Sequence, residues 1–248
     1  MYCFLDYKIS NEELNNIINL NIEPILIPKC PKVYEAINGH VDIQLNILDK
    51  RNKKVIVQKD ISKDFLNLLS SKGINYILSE NSLGTNYPEN IIINALITDN
   101  LFVHNLNYTD PNLLKFQDSK KTINVKQGYT KCSVLPTGKN AYITSDKGIY
   151  KKLIQEDLDV LLIPPGDILL PSLNYGFIGG VGGMISENRL ALFGELNCYA
   201  YGKEVYKFLY KHDIEPIALK KGKLIDRGSL LYISVSYTHL TLPTRCLV

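Results

Sequence analysis

The chain has 248 residues, of which 45% are hydrophobic and 21% charged, with a formal net charge of +3. That balance suits an ordinary globular protein with a large core, and no apolar run approaches the ~20 residues of a membrane-spanning helix. The lysines are scattered among acids as isolated pairs (Lys120-Lys121, Lys151-Lys152, Lys220-Lys221), which argues against a nucleic-acid track.

The N-terminus reads as the back half of a repeating unit. It has a strand at 2–5, a capping box at Ser10-x-x-Glu13, a helix to about Leu20 and a closing strand at 21–28, NIEPILIP. The acidic start of that helix sits where a secretion signal would place its apolar core, so cytoplasm is the expected compartment. The first full unit has strands at 40–48 (HVDIQLNIL) and 54–58, a helix at 62–71 and a closing strand at 74–79. The next has strands at 90–98 and 101–105, a helix opened by Thr109-Asp110-Pro111, and a closing strand at 122–126. Proline fits the first helical position there.

The unit at 127–166 is the clearest. Its first run, 131–135, stops at Pro136 and a Thr137-Gly138 turn, and a second run follows at 141–144. Ser145 and Asp146 can cap a helix whose Ile149, Leu153, Ile154 and Leu158 share one face. The near-continuous apolar run 159–164 (DVLLIP) reads as a strand buried on both faces. A further unit follows, with a glycine-rich strand at 177–185, a strand at 189–194, a helix at 202–211 and a closing strand at 214–219. Residues 222–234 read as one lone strand.

Closing strands thus begin near Ile22, Ile74, Thr122, Val160 and Ile214, and 213–220 (DIEPIALK) nearly repeats 21–28. The front half missing at the N-terminus stands at the other end. Five units with one split between the termini imply a closed ring, which also removes exposed strand edges. One α/β domain over 1–234 is expected. Residues 235–244 (VSYTHLTLPT) have no partner in the repeats and resemble the in-frame translation of a transposon-type sequencing adapter. The expectation is that 235–248 is a non-native tail, so that His239 and Cys246 carry no function.

In such a ring the first strands line the centre, and residues at their beginnings converge. These are His40 and Asp42, Glu89 and Asn90, Lys131 and Cys132, Phe177, Gly179 and Gly180, and Ser229. Cys132 reads either as a small buried apolar residue or as a nucleophile. A nucleophilic thiolate needs a neighbouring base or cation; His40 could be that base, with Asp42 or Asp146 orienting it. By strand alternation Lys131 points to the other side. Asp42 and Asp146 read equally as caps, and Glu195 as a holder of a cationic ligand or a solvated strand end. The run 176–183 (GFIGGVGG) lacks the following helix that a phosphate loop needs, so its glycines read as places of positive φ or close backbone approach. His104 and His212 fall away from the centre. The five cysteines have no metal spacing and fit reduced thiols, so no metal or cofactor is expected.

Five ββαβ-like units with a glycine at or before most first strands resemble the pentein fold of the guanidino-group-modifying enzymes. The segments GHVDI, QGYTKCSV, AYITSD, YGFIGG and GSLLYI resemble more particularly an uncharacterised bacterial family of that superfamily. The resemblance implies a five-unit α/β propeller, a small guanidino or amidino ligand and, if the chain is an enzyme, hydrolase or amidinotransferase chemistry at a C–N bond. The catalytic candidates remain those read from the residues themselves: Cys132, His40, Asp42 and Asp146. Active members carry their nucleophile in the last unit, where this chain has RGSLLYIS with neither Cys nor His. A non-catalytic pentein scaffold that binds another partner is the alternative.

Overall fold

A computed structural model of the chain describes residues 1–116 and 120–234. The tail at 235–248, with His239 and Cys246, lies outside the described residues.

Strand β1 (Tyr2–Asp6) leads into helix α1 (Asn11–Asn19) and strand β2 (Glu23–Ile27). The capping box closes as the sequence expects: Ser10 accepts from the Glu13 amide, and Glu13 accepts from the Ser10 amide at 2.8 Å. The second unit comprises α2 (Val41–Gln44), β3 (Leu45–Asp49), β4 (Lys54–Val57), α3 (Lys63–Ser71) and β5 (Asn75–Leu78). The third has β6 (Leu96–Ile97), β7 (Leu101–His104), α4 (Pro111–Leu114) and β8 (Lys121–Asn124). Asp110 caps α4 and Pro111 takes its first position.

The fourth unit holds α5 (Thr130–Ser133), β9 (Val134–Pro136), β10 (Ala141–Thr144), α6 (Lys147–Ile154) and β11 (Asp159–Leu162). In the fifth, a 3-10 turn at Ile178–Gly180 precedes β12 (Gly182–Met184), β13 (Arg189–Leu192), α7 (Gly202–Lys211) and β14 (Glu215–Ala218). The last strand among the described residues, β15 (Leu231–Ile233), returns to the N-terminal strand.

These strands form five three-stranded sheets. In each, the middle strand runs antiparallel to the first and parallel to the last, as in β3-β4-β5 and β9-β10-β11. The split unit follows the same rule: β1 pairs antiparallel with β15, Tyr2 opposite Ile233 and Phe4 opposite Leu231, and parallel with β2. The described residues therefore form a five-unit, pentein-type α/β propeller in which β1, β2 and β15 make up one unit.

Packing closes the ring independently of hydrogen bonding. Among the described residues, one apolar cluster fills each gap between neighbouring units. Phe4, Ile25, Val55 and Phe65 join the split unit to the second, and Ile56, Ile92 and Phe102 join the second to the third. Val103, Val134 and Tyr142 follow, then Leu135, Ile143, Leu190 and Leu209. Leu5, Ile17, Ala191, Phe193 and Leu219 seal the last unit against the split one. Five gaps for five units is a closed arrangement; an open array would leave one cluster exposed to water.

Four expectations are corrected. The runs at 40–48, 90–98, 131–135 and 177–185 are not strands throughout. Three begin with a short helical turn and the fourth with the turn at 91–94, before a strand of two to five residues. The turns of α2, 91–94 and α5 bring Asp42, Asn94, Lys131 and Cys132 together in the middle of the ring, where the turn at Ile178–Gly180 contributes backbone. Residues 222–234 are not one strand, because positive φ at Gly222 (83°), Gly228 (68°) and Ser229 (71°) breaks the extension before β15. The run 159–164 is not buried on both faces: β11 is the outer strand of its sheet and is half-buried along its length. Finally, no glycine of 176–183 has positive φ; those glycines serve close approach.

No helix among the described residues is long and apolar enough to cross a membrane.

Candidate functional site at the ring centre

The helical turns bring together residues far apart in sequence. The Cys132 thiol, on α5, donates to Asp42 Oδ1, on α2, at 3.2 Å. The Ser229 hydroxyl donates to the other oxygen, Asp42 Oδ2, at 2.6 Å, and accepts from Lys131 Nζ at 2.9 Å. Asn94 ties the group down from the third unit. Its amide donates to the Asp42 carbonyl at 2.9 Å and to Cys132 Sγ at 3.2 Å, while its Oδ1 accepts from the Lys131 amide at 2.9 Å. Asp42, Asn94 and Ser229 are fully buried, and Cys132 is 3% exposed. The centre is a filled polar plug rather than an open channel.

His40 stands beside this plug. One of its ring nitrogens, an Asp42 oxygen and Cys132 Sγ all lie within 4.8 Å of one another. His40 Nδ1 is 3.9 Å from Asp226 Oδ1 and has no hydrogen-bond partner among the described residues. Asp226 is held from below by the amides of Phe177 (2.8 Å) and Gly228 (2.9 Å). Gly228, at φ 68°, leaves no room for a side chain: a Cβ there would come 2.2 Å from His40 Cβ. A Cβ on Gly180 would lie 1.8 Å from Asp226 Oδ1. Both glycines are therefore required by the packing of the site.

Burial dominates the electrostatics. It pushes the Cys132 thiol well above its usual range, and the charges of Asp42 and Asp226 push the same way. Burial lowers the Lys131 ammonium, opposed by Asp42, Cys132 and Asp226. The Asp226 carboxyl is raised by burial and partly held down by His40; the Asp6 carboxyl is raised for the same first cause. The upward direction for Cys132 agrees with the geometry, in which its thiol donates to Asp42 Oδ1.

A rim of aromatic rings adjoins the turn that carries Cys132. Tyr129 caps α5, its ring 5.9 Å from Tyr87 and 6.1 Å from Phe177, and Tyr87 stacks edge-on with Tyr108 at 6.3 Å. The Tyr129 hydroxyl donates to Asn90 Oδ1 at 3.0 Å. Tyr87 and Tyr108 are exposed, 49% and 42%.

Of the residues singled out from sequence, His40, Asp42, Lys131, Cys132, Gly179, Gly180 and Ser229 meet at the centre, and Asn90 and Phe177 form the rim. The alternation argument for Lys131 fails because it lies in a helical turn, where the two-residue period does not apply, and its ammonium reaches Ser229 and Gly179. Glu89 is exposed on a surface loop. Asp146 is the cap of α6, accepting from the Ile149 amide at 2.8 Å. Glu195 accepts from the Gly222 amide at 2.7 Å and lines a surface depression with Tyr206 and Pro216. His104 is buried, its ring nitrogens on Thr109 and the Gly128 carbonyl, and His212 meets Asp159 on the surface. Sequence reasoning missed Asn94 and Asp226. Asn94 could have been found as the polar residue that interrupts an otherwise apolar run, whereas Asp226 directly precedes the Arg227–Gly228–Ser229 turn but no spacing connects it to His40.

The family model described as "Family of unknown function (DUF6873)" matches residues 4–231, and the chain belongs to that family. No curated protein matches it. Solved structures with a similar outline include SxtG, an amidinotransferase from Microseira wollei in the saxitoxin biosynthetic pathway: 9% identity, 88% of this chain and 75% of that one, TM-score 0.49. A mutant of DDAH from Pseudomonas aeruginosa complexed with citrulline matches at 10% identity over 88% and 91% of the chains, TM-score 0.48. The inosamine-phosphate amidinotransferase StrB1 from Streptomyces griseus matches at 11% identity over 89% and 78%, TM-score 0.49.

Proposed function

We propose that this chain binds a small guanidino or amidino cation at the ring centre, beneath the Tyr87–Tyr129–Phe177 rim, with Cys132 as the attacking group. The observation that carries the reading is an excess of buried carboxylate next to Phe177, part of a partly exposed aromatic rim. Asp42 and Asp226 are both buried, yet among the described residues neither has a lysine or arginine within ion-pair distance. A guanidinium is planar and weakly hydrated, pairs with carboxylates through parallel N–H donors and stacks on aromatic rings. It fits such a place better than a compact ammonium does.

Burial first, and then the charges of Asp42 and Asp226, hold the thiol pKa up; a bound cation beside Asp42 offsets the second of these. His40 or Asp42 then takes the proton, and the sulfur attacks the electron-poor carbon, forming a C–S bond. A C–N bond breaks as the leaving amine takes a proton back, and water or an acceptor amine releases the carbon from sulfur. That is hydrolase or amidinotransferase chemistry, and a free thiol suits a reducing, cytoplasmic setting. Asp146, which caps α6, and Glu195, which accepts from the Gly222 amide, are given no part in it.

Calorimetric titration with small guanidines and amidines, set against the neutral ureas and amides of the same shape, tests the reading. Saturable binding of the cations alone, weakened in Asp42→Asn, supports it; equal or absent binding of both sets ends it. One observation favours a second reading, a binding scaffold without turnover: the thiol is enclosed and held protonated. Under that reading Cys132→Ser binds the cation as well as the wild type and no product forms.

A further inference from the structure

The buried centre holds more carboxylate than cation. Asp6, Asp42 and Asp226 are 2%, 0% and 3% exposed. Lys131 gives its ammonium to Ser229 Oγ and the Gly179 carbonyl rather than to a carboxylate. Arg227 is engaged with Glu13 at 2.9 Å and with the Lys8 carbonyl at 3.0 Å. The His40 imidazole stands among these carboxylates, with one ring nitrogen within 4.8 Å of an Asp42 oxygen and of Cys132 Sγ. Its buried Nδ1, 3.9 Å from Asp226 Oδ1, has no hydrogen-bond partner among the described residues, which costs free energy.

We propose that the ring centre is a site for a borderline-soft divalent cation of the zinc class, held by Cys132 Sγ, the His40 imidazole and the Asp42 carboxylate. Ligands at zinc's bond lengths stand roughly 3.5 Å apart around a tetrahedron. Cys132 Sγ and Asp42 Oδ1 are already 3.2 Å apart, and all three donors lie within 4.8 Å, so closure needs movements of about an ångström or less. One sulfur, one nitrogen and one oxygen donor select zinc or cobalt over magnesium or calcium, which take oxygen alone.

The outer hydrogen bonds are also in place. Asn94 donates to the sulfur, and Ser229 donates to the carboxylate oxygen that does not face Cys132. Binding exchanges a proton for the metal: the Cys132 S–H bond breaks, the sulfur–metal bond forms and the proton leaves to solvent. Three protein ligands leave a fourth position open. The inference stands apart from the guanidino reading, since it concerns a metal alone. The two occupants compete for Asp42, and a metal on Cys132 prevents its attack.

The test uses the full chain carrying Cys198→Ser and Cys246→Ser, which removes the exposed thiol and the one in the tail, leaving Cys3, Cys30 and Cys132. The chain is stripped with a chelator and titrated with cobalt(II) alone. A sulfur-to-cobalt charge-transfer band should appear and saturate at one equivalent, then bleach as zinc displaces cobalt. Cys132→Ser should abolish the band, and His40→Ala should weaken cobalt binding at least ~10-fold. Absence of the band in the folded parent at saturating cobalt overturns the inference, as does a band that survives Cys132→Ser. If Cys132→Ser does not fold, the parent titration and His40→Ala decide. Guanidine binding is measured separately in chelator, so each reading can fail alone.

Discussion

Cys132 and Asp42 lie 90 residues apart in sequence, yet the thiol of one donates to the carboxylate of the other at 3.2 Å. Each sits in a helical turn at the inner end of its unit, so ring closure, not local sequence, creates the pair. The consequence is a thiol that resists ionisation. Without ligand, chloroacetamide at neutral pH should alkylate Cys132 far more slowly than the exposed Cys198. Above the ~8.5 of a free thiol, Cys132 should still lag. Asp42→Asn removes the opposing charge and should speed alkylation by about 10-fold, the factor of one pKa unit. Peptide mass spectrometry over time reads both rates, and equal labelling of the two cysteines in the wild type would refute the enclosed-thiol picture.

The site depends on a glycine that touches His40. Gly228→Ala would place a Cβ 2.2 Å from His40 Cβ at φ 68°. Its expected loss of unfolding free energy is at least ~2 kcal/mol, from overpacking added to backbone strain. Gly73→Ala is the comparison: its φ is 64°, but nothing lies within 4 Å of the added carbon. That variant should lose only about 1 kcal/mol. Urea unfolding of the two side by side separates packing from backbone preference; equal losses would mean that His40 yields freely.

His104 makes the fold sensitive to acid. Burial lowers its pKa from 6.5 to about 4. Between those values the unfolded chain binds a proton that the folded chain does not, so stability rises with pH and is lost as pH falls through that window. The full effect is roughly 3 kcal/mol. Asp6 and Asp226 act in the opposite sense: with raised pKa values they keep protons that the unfolded chain has released, and acid favours the fold through them. Replacing His104 by Gln should flatten the acid limb of stability between pH 7 and pH 5, measured by urea midpoints. An unchanged slope would mean that the imidazole takes its proton without cost.

Much of the ring is legible because its signals are local. The Ser10 and Glu13 box, the Asp110-Pro111 start and the Asp146 cap are contacts between near neighbours, and each forms as the residues suggest. The split unit is legible from the IEPI shared by 22–25 and 214–217. The centre is only half legible. That first-strand beginnings converge follows from the repeat, but whether each begins as strand or as helical turn is settled by packing against four other units. That difference turns Lys131 inward and leaves Cys132 hydrogen-bonded rather than exposed. Asp226 escapes notice because its significance lies in His40, which no spacing connects to it.

Ring closure predicts a cooperative loss when β1 is removed. That strand is the middle of its sheet, flanked by β15 and β2. Deleting residues 1–6 should expose two strand edges at once and drive the chain to aggregate, as light scattering and size-exclusion chromatography would show. A monomer with unchanged circular dichroism would contradict closure through the split unit.

The most direct test of the guanidino account is a comparison of two alkylating reagents of the same shape. Chloroacetamidine is a planar cation and chloroacetamide its neutral counterpart; Cys198 on the same chain serves as the internal reference, and a chelator is present throughout. The ratio of Cys132 to Cys198 labelling should be at least ~10-fold higher for the amidine, the factor that about 1.4 kcal/mol of cation recognition supplies. Asp42→Asn should erase that preference, and added guanidines should compete with it. Equal ratios for the two reagents, unmoved by Asp42→Asn, would contradict a cation site at the ring centre.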